Sequence, residues 1–206
     1  MENQEKWSKW FDGTMARRFF LYKEEGFLIN KYIKRNHKVF DVGAGYGRVL
    51  YFLKNKGQDV KGIDLSYEDE NIEKKDFLDF EAQEKFDVVL CLLNSLDYFS
   101  PYENRKKALV KMKSLLKEGG ILILSSHYRL PFFNFKKSKY PGFYFEEVDG
   151  NYLLTFYGFG NTLKRELNSL NLKVIEYLPR RGGTKWLFGR LLRRANFVYA
   201  VAKKNG

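Results

Sequence analysis

The sequence predicts a doubly wound α/β domain built on a mostly parallel sheet. Three observations carry this. Strand-like and helix-like segments alternate along the chain, which is the order of stacked βαβ units. One run, Phe86 to Leu93, is almost continuously apolar, as a strand covered on both faces must be. A glycine-rich turn, Gly43-Ala44-Gly45-Tyr46-Gly47, separates a short apolar strand from a helix, the junction at which such sheets bind ligands. With 206 residues and 44% apolar content, the chain suits a single domain, residues 1–206, around one sizeable core.

Taken in order, Glu5 to Arg35 reads as one or two helices, with Trp7, Trp10, Phe11, Phe19, Phe20, Phe27 and Tyr32 near helical spacing. Residues 1–36 are therefore expected to form a helical lid, with plain core packing as the alternative. Lys38 to Val42 is the first strand, and the helix after the glycine turn carries Val49, Leu50 and Leu53 and stops at Gly57. Asp59 to Leu65 and Asn71 to Phe77 are the second and third strands, with only Ser66 to Glu70 between them. Ser100, Pro101 and Glu103 read as cap, first position and capping box of a helix with Ala108, Leu109, Met112, Leu115 and Leu116 on one face. Gly119-Gly120 is expected to end it, before a fifth strand at Ile121 to Ser125. Residues 128–158 form an aromatic insertion, expected to cap the substrate, with a hairpin of Phe143–Val148 against Tyr152–Phe156 turning at Asp149-Gly150. A short helix with Leu163, Leu167 and Leu170 follows, then strands at Leu172–Leu178 and Asn196–Ala202.

The bulk numbers narrow the class. One cysteine, Cys91, excludes an intramolecular disulfide and a Cys-rich zinc site, so no metal is expected. Cysteine usage, a polar Met1–Lys9 and the lack of about 18 uninterrupted apolar residues fit a cytoplasmic protein. A net charge of +12 suits a polyanionic partner or, equally simply, a lysine-rich solvated surface.

The chemistry concentrates in Asp41-Val-Gly43-Ala-Gly45-Tyr-Gly47. Bare backbone at a helix start lets a ligand approach closely. The spacing is not that of a dinucleotide site, because Arg48 stands where that pattern wants its third glycine. Asp41 beside a pyrophosphate would repel it, but beside an ammonium or sulfonium it attracts. Asp64, ending the second strand, can accept both hydroxyls of a ribose. Asp76, at the end of the third, can take an adenine amino group, with Phe77 stacking on the ring.

This series, continued by Phe86-Asp87-Val88-Val89-Leu90-Cys91 and Leu115-Leu116-Lys117-Glu118-Gly119-Gly120-Ile121-Leu122, resembles the ordered motifs of class I S-adenosylmethionine-dependent methyltransferases, closely over 38–125 and loosely over 161–203. The resemblance implies a seven-stranded sheet with an antiparallel last strand. It also implies S-adenosylmethionine as methyl donor, with S-adenosylhomocysteine as product. On it, Gly43, Gly45 and Gly47 contact the methionine moiety, Asp64 and Leu65 the ribose side, Asp76 and Phe77 the adenine, and Leu92, Leu93 and Asn94 the methyl end. One departure stands out: Ser66–Glu70 is too short for the usual helix between strands two and three.

His127, after the fifth strand, is a candidate general base, with loop orientation as the alternative. Asn94 is a candidate for positioning ligand or merely a strand-end cap. Tyr98, Asp97 and Tyr128 can touch substrate, although loop acids usually just meet water. The aromatic insertion suits a planar or apolar small molecule. Arg180, Arg181, Lys185, Arg190, Arg193 and Arg194, with no acid between them, suit RNA, an anionic membrane surface through an amphipathic helix, or a solvated loop. Small-molecule transfer to nitrogen or oxygen, RNA methylation, and a non-catalytic binding role therefore stand side by side.

Overall fold

Val39, Phe40 and Val42 are apolar on both faces of a short strand, so the first strand can only sit mid-sheet. The computed structural model describes residues 21–128, 135–148, 151–158, 160–187 and 190–205, and places that strand, β1 (Lys38–Val42), between β2 (Asp59–Asp64) and β4 (Phe86–Cys91), parallel to both. With β3 (Ile72–Lys74), β5 (Leu116–His127), β9 (Leu172–Leu187) and β10 (Arg190–Lys204), the sheet runs β3-β2-β1-β4-β5-β10-β9. β10 is antiparallel to both neighbours. This is the seven-stranded, mostly parallel α/β sheet the motif series implied.

Period-two alternation divides the core between the two faces. Val39, Val88, Leu90, Tyr199 and Val201 face α1 (Lys23–Tyr32) and α2 (Arg48–Lys54). Phe40, Val42, Val89, Cys91, Val198 and Ala200 face α3 (Tyr102–Leu115) and α4 (Thr162–Ser169). Asp41 shares Val39's face, toward α1 and α2. Strand order reverses between β1 and β4, and the glycine turn leaves the carboxyl end of β1 at that switch point, where open α/β sheets bind ligands.

Several elements differ from expectation for local reasons. β3 is only three residues long, so Asp76 and Phe77 lie beyond it, in a 3-10 turn at Phe77–Asp79. No described helix joins β2 to β3. Asp69 Oδ1 instead accepts from the amides of Asn71 and Ile72 and folds the connection tightly. α3 begins one residue late, with Pro101 as N-cap; Glu103 is then the second helical residue rather than the third, and the Ser100 capping box is not formed. Gly119-Gly120 does not end α3, which stops at Leu115. Both glycines lie in β5, where a side chain on Gly120 would come within 2.9 Å of the Lys117 carbonyl and 3.2 Å of the Asp87 carbonyl. The hairpin is present as β7 (Phe143–Val148) and β8 (Asn151–Phe156), extended by β6 (Phe135–Lys137) into a separate small sheet. The expected turn at Asp149-Gly150 and the first twenty residues of the expected helical lid lie outside the described residues. The last two strands are much longer than their apolar stretches, so the basic segment is extended chain rather than a loop or an amphipathic helix.

Candidate active site

The turn after β1 needs three left-handed residues in seven, and glycine supplies each of them: φ is +71° at Gly43, +54° at Gly45 and +79° at Gly47. The amides of Gly43 and Ala44 donate to the Ile63 carbonyl at 2.9 and 3.0 Å. Gly45 N donates to Asp64 Oδ2 at 2.9 Å. The loop is therefore stitched to the end of β2 before any ligand arrives. A side chain on Gly43 would meet Ser95 at 2.7 Å, so the turn after β4 closes against the turn after β1.

Asp41 is 3% exposed. Burial pushes its carboxyl up to about 7, opposed by Arg48 and reinforced by the charges of Glu25 and Asp64. Arg48 itself is clamped by Glu25, which takes Nη1 at 2.6 Å and Nη2 at 3.0 Å from within α1. A carboxyl whose folded value lies above its unfolded one favours the fold in its neutral form. Its contribution is full below about pH 4 and is lost as pH rises toward 7, at most about 4 kcal/mol for three units. Asp41→Asn is expected to flatten that slope. By thermal melting, the variant should gain on the wild type toward about pH 8 and match it near about pH 4. An unchanged difference across that range would mean Asp41 is ionised throughout.

Asp64 uses each carboxylate oxygen once, Oδ2 for Gly45 N and Oδ1 for Ser66 N at 2.9 Å. Each oxygen keeps a second lone-pair direction. Leu65 beside it is 38% exposed. Asp76 is half-buried and caps the following turn through Leu78 N at 2.8 Å, leaving its other oxygen for a ligand. Phe77 differs from expectation. It is 4% exposed and packs in the core with its ring near Phe80 and Phe99, so it supports the floor of the site and has no free face to stack on a base.

At the end of β4, Leu92 is buried while Leu93 is 41% exposed. Leu93 and Asn94 both take left-handed backbone angles, turning the chain sharply so that Asn94 N donates to Ser125 Oγ at 2.8 Å. Asn94 Nδ2 then lies 3.3 Å from His127 Nε2. His127 Nδ1 lies 2.7 Å from Asp97 Oδ2, and the His127 amide donates to the same oxygen at 2.6 Å. A carboxylate only accepts, so Nδ1 carries the proton and Nε2 keeps its lone pair beside Asn94.

Asp97 is the residue the sequence reading placed wrongly. It is fully buried rather than wet, held in the turn Ser95–Tyr98. Its other oxygen accepts from Arg105 Nη1 and Ser126 Oγ, both at 2.6 Å. Arg105, also fully buried, is held from its far side by Glu166 through Nε at 2.9 Å and Nη2 at 3.0 Å. Its guanidinium lies 4.2 Å from the centroid of the Phe156 ring. Neither Arg105 nor Glu166 was singled out from sequence. Tyr98 is half-buried in the same turn, whereas Tyr128 packs against the core on the α3/α4 side. Over this site lies the small sheet: Tyr157, just past β8, sits 4.5 Å from the His127 ring. Among the described residues no group of three or more His, Cys, Asp or Glu is arranged to hold a metal, and no helix is long and apolar enough to cross a membrane.

Comparison with known proteins fits this geometry. A family model described as a methyltransferase domain matches residues 15–177. A glycine/sarcosine N-methyltransferase from Aphanothece halophytica is 34% identical over 139 residues, 58% of this chain, and the match spans only 52% of that relative's length. An S-adenosylmethionine-dependent methyltransferase from Clostridium acetobutylicum ATCC 824 superposes with a TM-score of 0.68 at 17% identity, covering 98% of this chain and 99% of its own. The Burkholderia thailandensis 1,6-didemethyltoxoflavin-N1-methyltransferase superposes with a TM-score of 0.69 at 14% identity, covering 99% and 87%. A buried acid before a three-glycine turn at the switch point of a seven-stranded sheet, and a family model matching most of the chain, lead to one conclusion: the chain belongs to the methyltransferase domain family and has the class I methyltransferase fold.

Proposed function

We propose that the protein transfers the methyl group of S-adenosylmethionine to a nitrogen or oxygen nucleophile of a small molecule, nitrogen being favoured by the names of two of its relatives. The observation that carries this is the His127–Asp97 pair beside Asn94, at the carboxyl ends of β4 and β5 and next to the glycine turn. The residues present fit the donor. Asp41 is a buried carboxyl opposed by a single arginine already clamped elsewhere, so an incoming ammonium completes its pairing. Asp64 offers two unused lone pairs for hydroxyls. Leu65 and Leu93 are large exposed apolar side chains just past the ends of β2 and β4, the two strands that flank β1, and a bound nucleoside would cover them.

Bound there, S-adenosylmethionine supplies a methyl group on a sulfonium, already activated for in-line displacement. The protein's own part is proximity and proton handling. Asp97 fixes the His127 tautomer, and Nε2 takes the proton the acceptor must shed. Asn94 Nδ2 holds that lone pair at 3.3 Å until the acceptor's N–H takes its place.

The reading is tested by adding methyl-tritiated S-adenosylmethionine and purified protein to a cell extract. Label in the small-molecule fraction is expected, and label confined to RNase-sensitive polymer would overturn it. Asp64→Ala is expected to weaken S-adenosylhomocysteine binding by about 2 kcal/mol, the scale of one charged acceptor, or roughly 30-fold in Kd by calorimetry. An unchanged Kd would place the ribose elsewhere.

A second reading has one observation behind it. His127 pairs with Phe197, so residues 190–196 of β10 and their partners in β9 run past the carboxyl end of β5 as a two-stranded ribbon. Arg180, Arg181, Lys185, Arg190, Arg193 and Arg194 lie on this ribbon, at the edge where the site opens, and suit an RNA backbone. Reversing Arg190, Arg193 and Arg194 to glutamate is expected to abolish salt-dependent RNA binding under this reading. RNA affinity and small-molecule turnover both left unchanged by the reversal would remove it.

A further inference from the structure

Buried polar atoms in folded proteins almost always find a partner, because leaving one unpaired costs as much as a lost hydrogen bond. Among the described residues, Asn94 Oδ1 and Thr155 Oγ1, both on the His127 side of the molecule, are buried with no hydrogen-bond partner. Asn94 is 7% exposed and Thr155 is fully enclosed.

Their placement is related. β8 packs against the turn Ser95–Tyr98 that follows Asn94. Cross-strand partners share a face, and Phe143 pairs with Phe156 while Tyr144 pairs with Thr155. Phe143 and Phe156 turn toward Tyr102 and Arg105 on α3. The opposite face carries Tyr144, Thr155 and, continuing the alternation, Tyr157. Tyr157 is the residue that touches His127, and the Tyr144 ring stands edge-on to it at 6.1 Å. Thr155 is therefore presented from the roof on the same face as the ring over His127. Asn94 Oδ1 belongs to the amide whose nitrogen is already engaged by His127 Nε2, so it accepts from whatever lies beside that imidazole.

We propose that Asn94 Oδ1 and the Thr155 hydroxyl are the two hydrogen-bonding contacts that seat the methyl acceptor. This rests on the small-molecule reading above and narrows it. The acceptor is a planar or aromatic amine with a second polar group. Its N–H donates to Asn94 Oδ1, which holds the nitrogen next to His127 Nε2. Its second polar group meets Thr155, and its body lies along Tyr144 and Tyr157. Thr155 is a specificity residue in this arrangement. It touches the acceptor without taking part in the transfer.

Thr155→Val keeps the shape and removes the hydroxyl, and Thr155→Ser keeps the hydroxyl. The probe is the small-molecule ultrafiltrate of a cell extract, titrated at saturating methyl-tritiated S-adenosylmethionine. Thr155→Val is expected to need about tenfold more ultrafiltrate for half-saturation, the effect of one hydrogen bond, with a similar maximal rate and an unchanged S-adenosylhomocysteine Kd. Thr155→Ser should restore half-saturation. A Thr155→Val enzyme that titrates like the wild type, or that loses only maximal rate, overturns the seat. If the valine variant does not fold, Thr155→Ala is read against Thr155→Ser in the same titration. Wild-type enzyme that labels nothing in the ultrafiltrate overturns the small-molecule reading itself, and the seat with it.

Discussion

His127→Ala is expected to lower kcat by about 10²- to 10⁴-fold, the usual contribution of a positioned general base, while S-adenosylhomocysteine binds as before. The expectation follows from geometry on both sides of the ring. Asp97 accepts from Nδ1 at 2.7 Å, leaving a lone pair on Nε2 at the carboxyl end of the sheet. Asp97→Asn supplies the sharper comparison. Its amide can donate to Nδ1 and so stabilise the opposite tautomer, with the proton on Nε2 and no base facing the acceptor. The loss should resemble that of His127→Ala although the imidazole is still present. If His127→Ala keeps most of kcat, proximity alone drives the transfer and the acceptor arrives already deprotonated.

The parts of this site that were legible in sequence are those whose chemistry is local. The glycine turn is legible because left-handed backbone at three alternating positions demands glycine. Asp41 and Asp64 are legible because each adjoins the end of an apolar run. The Asp97 network was not. Asp97 and Arg105 are eight residues apart, Asp97 and His127 thirty, and Arg105 and Glu166 sixty-one, and no periodicity links such positions. Taken singly, Arg105 on a lysine-rich helix reads as a solvated charge, and only tertiary packing identifies it as the centre of a buried cluster.

A similar limit governs the fold. β1 and β4 were recognisable because strands covered on both faces are almost wholly apolar, whereas β2 alternates, with Asp59 and Lys61 exposed. The apolar run of β9 ends at Leu178, where Pro179 opens the basic stretch. β9 is an edge strand paired only with β10, and an edge tolerates a residue without an N–H. The missing capping box at α3 turns on a single residue of register, which lies within the ordinary uncertainty of helix ends.

Arg105→Met should be the most destabilising single change considered, by about 3–5 kcal/mol, because it strands the buried carboxylates of Asp97 and Glu166 without their cation. For a chain of this length that is a fall in melting temperature of roughly 6–20 °C. The guanidinium also covers the Phe156 ring, so the methionine must replace apolar contact as well as charge. The informative construction removes the whole cluster. Exchanging Arg105, Asp97 and Glu166 together for Met, Leu and Leu leaves no unpaired charge, and such replacements are often neutral or stabilising. The triple variant is therefore expected to recover most of the lost melting temperature while remaining as slow as Asp97→Asn. Recovery of both stability and rate would mean His127 needs no orienting partner. Recovery of neither would mean Ser126 Oγ and the His127 amide, which also donate to Asp97, depend on that carboxylate to hold the end of β5 in place. Stability restored without rate separates the two roles: the cluster costs the fold little when absent as a unit, and its function is to hold one imidazole in one tautomer.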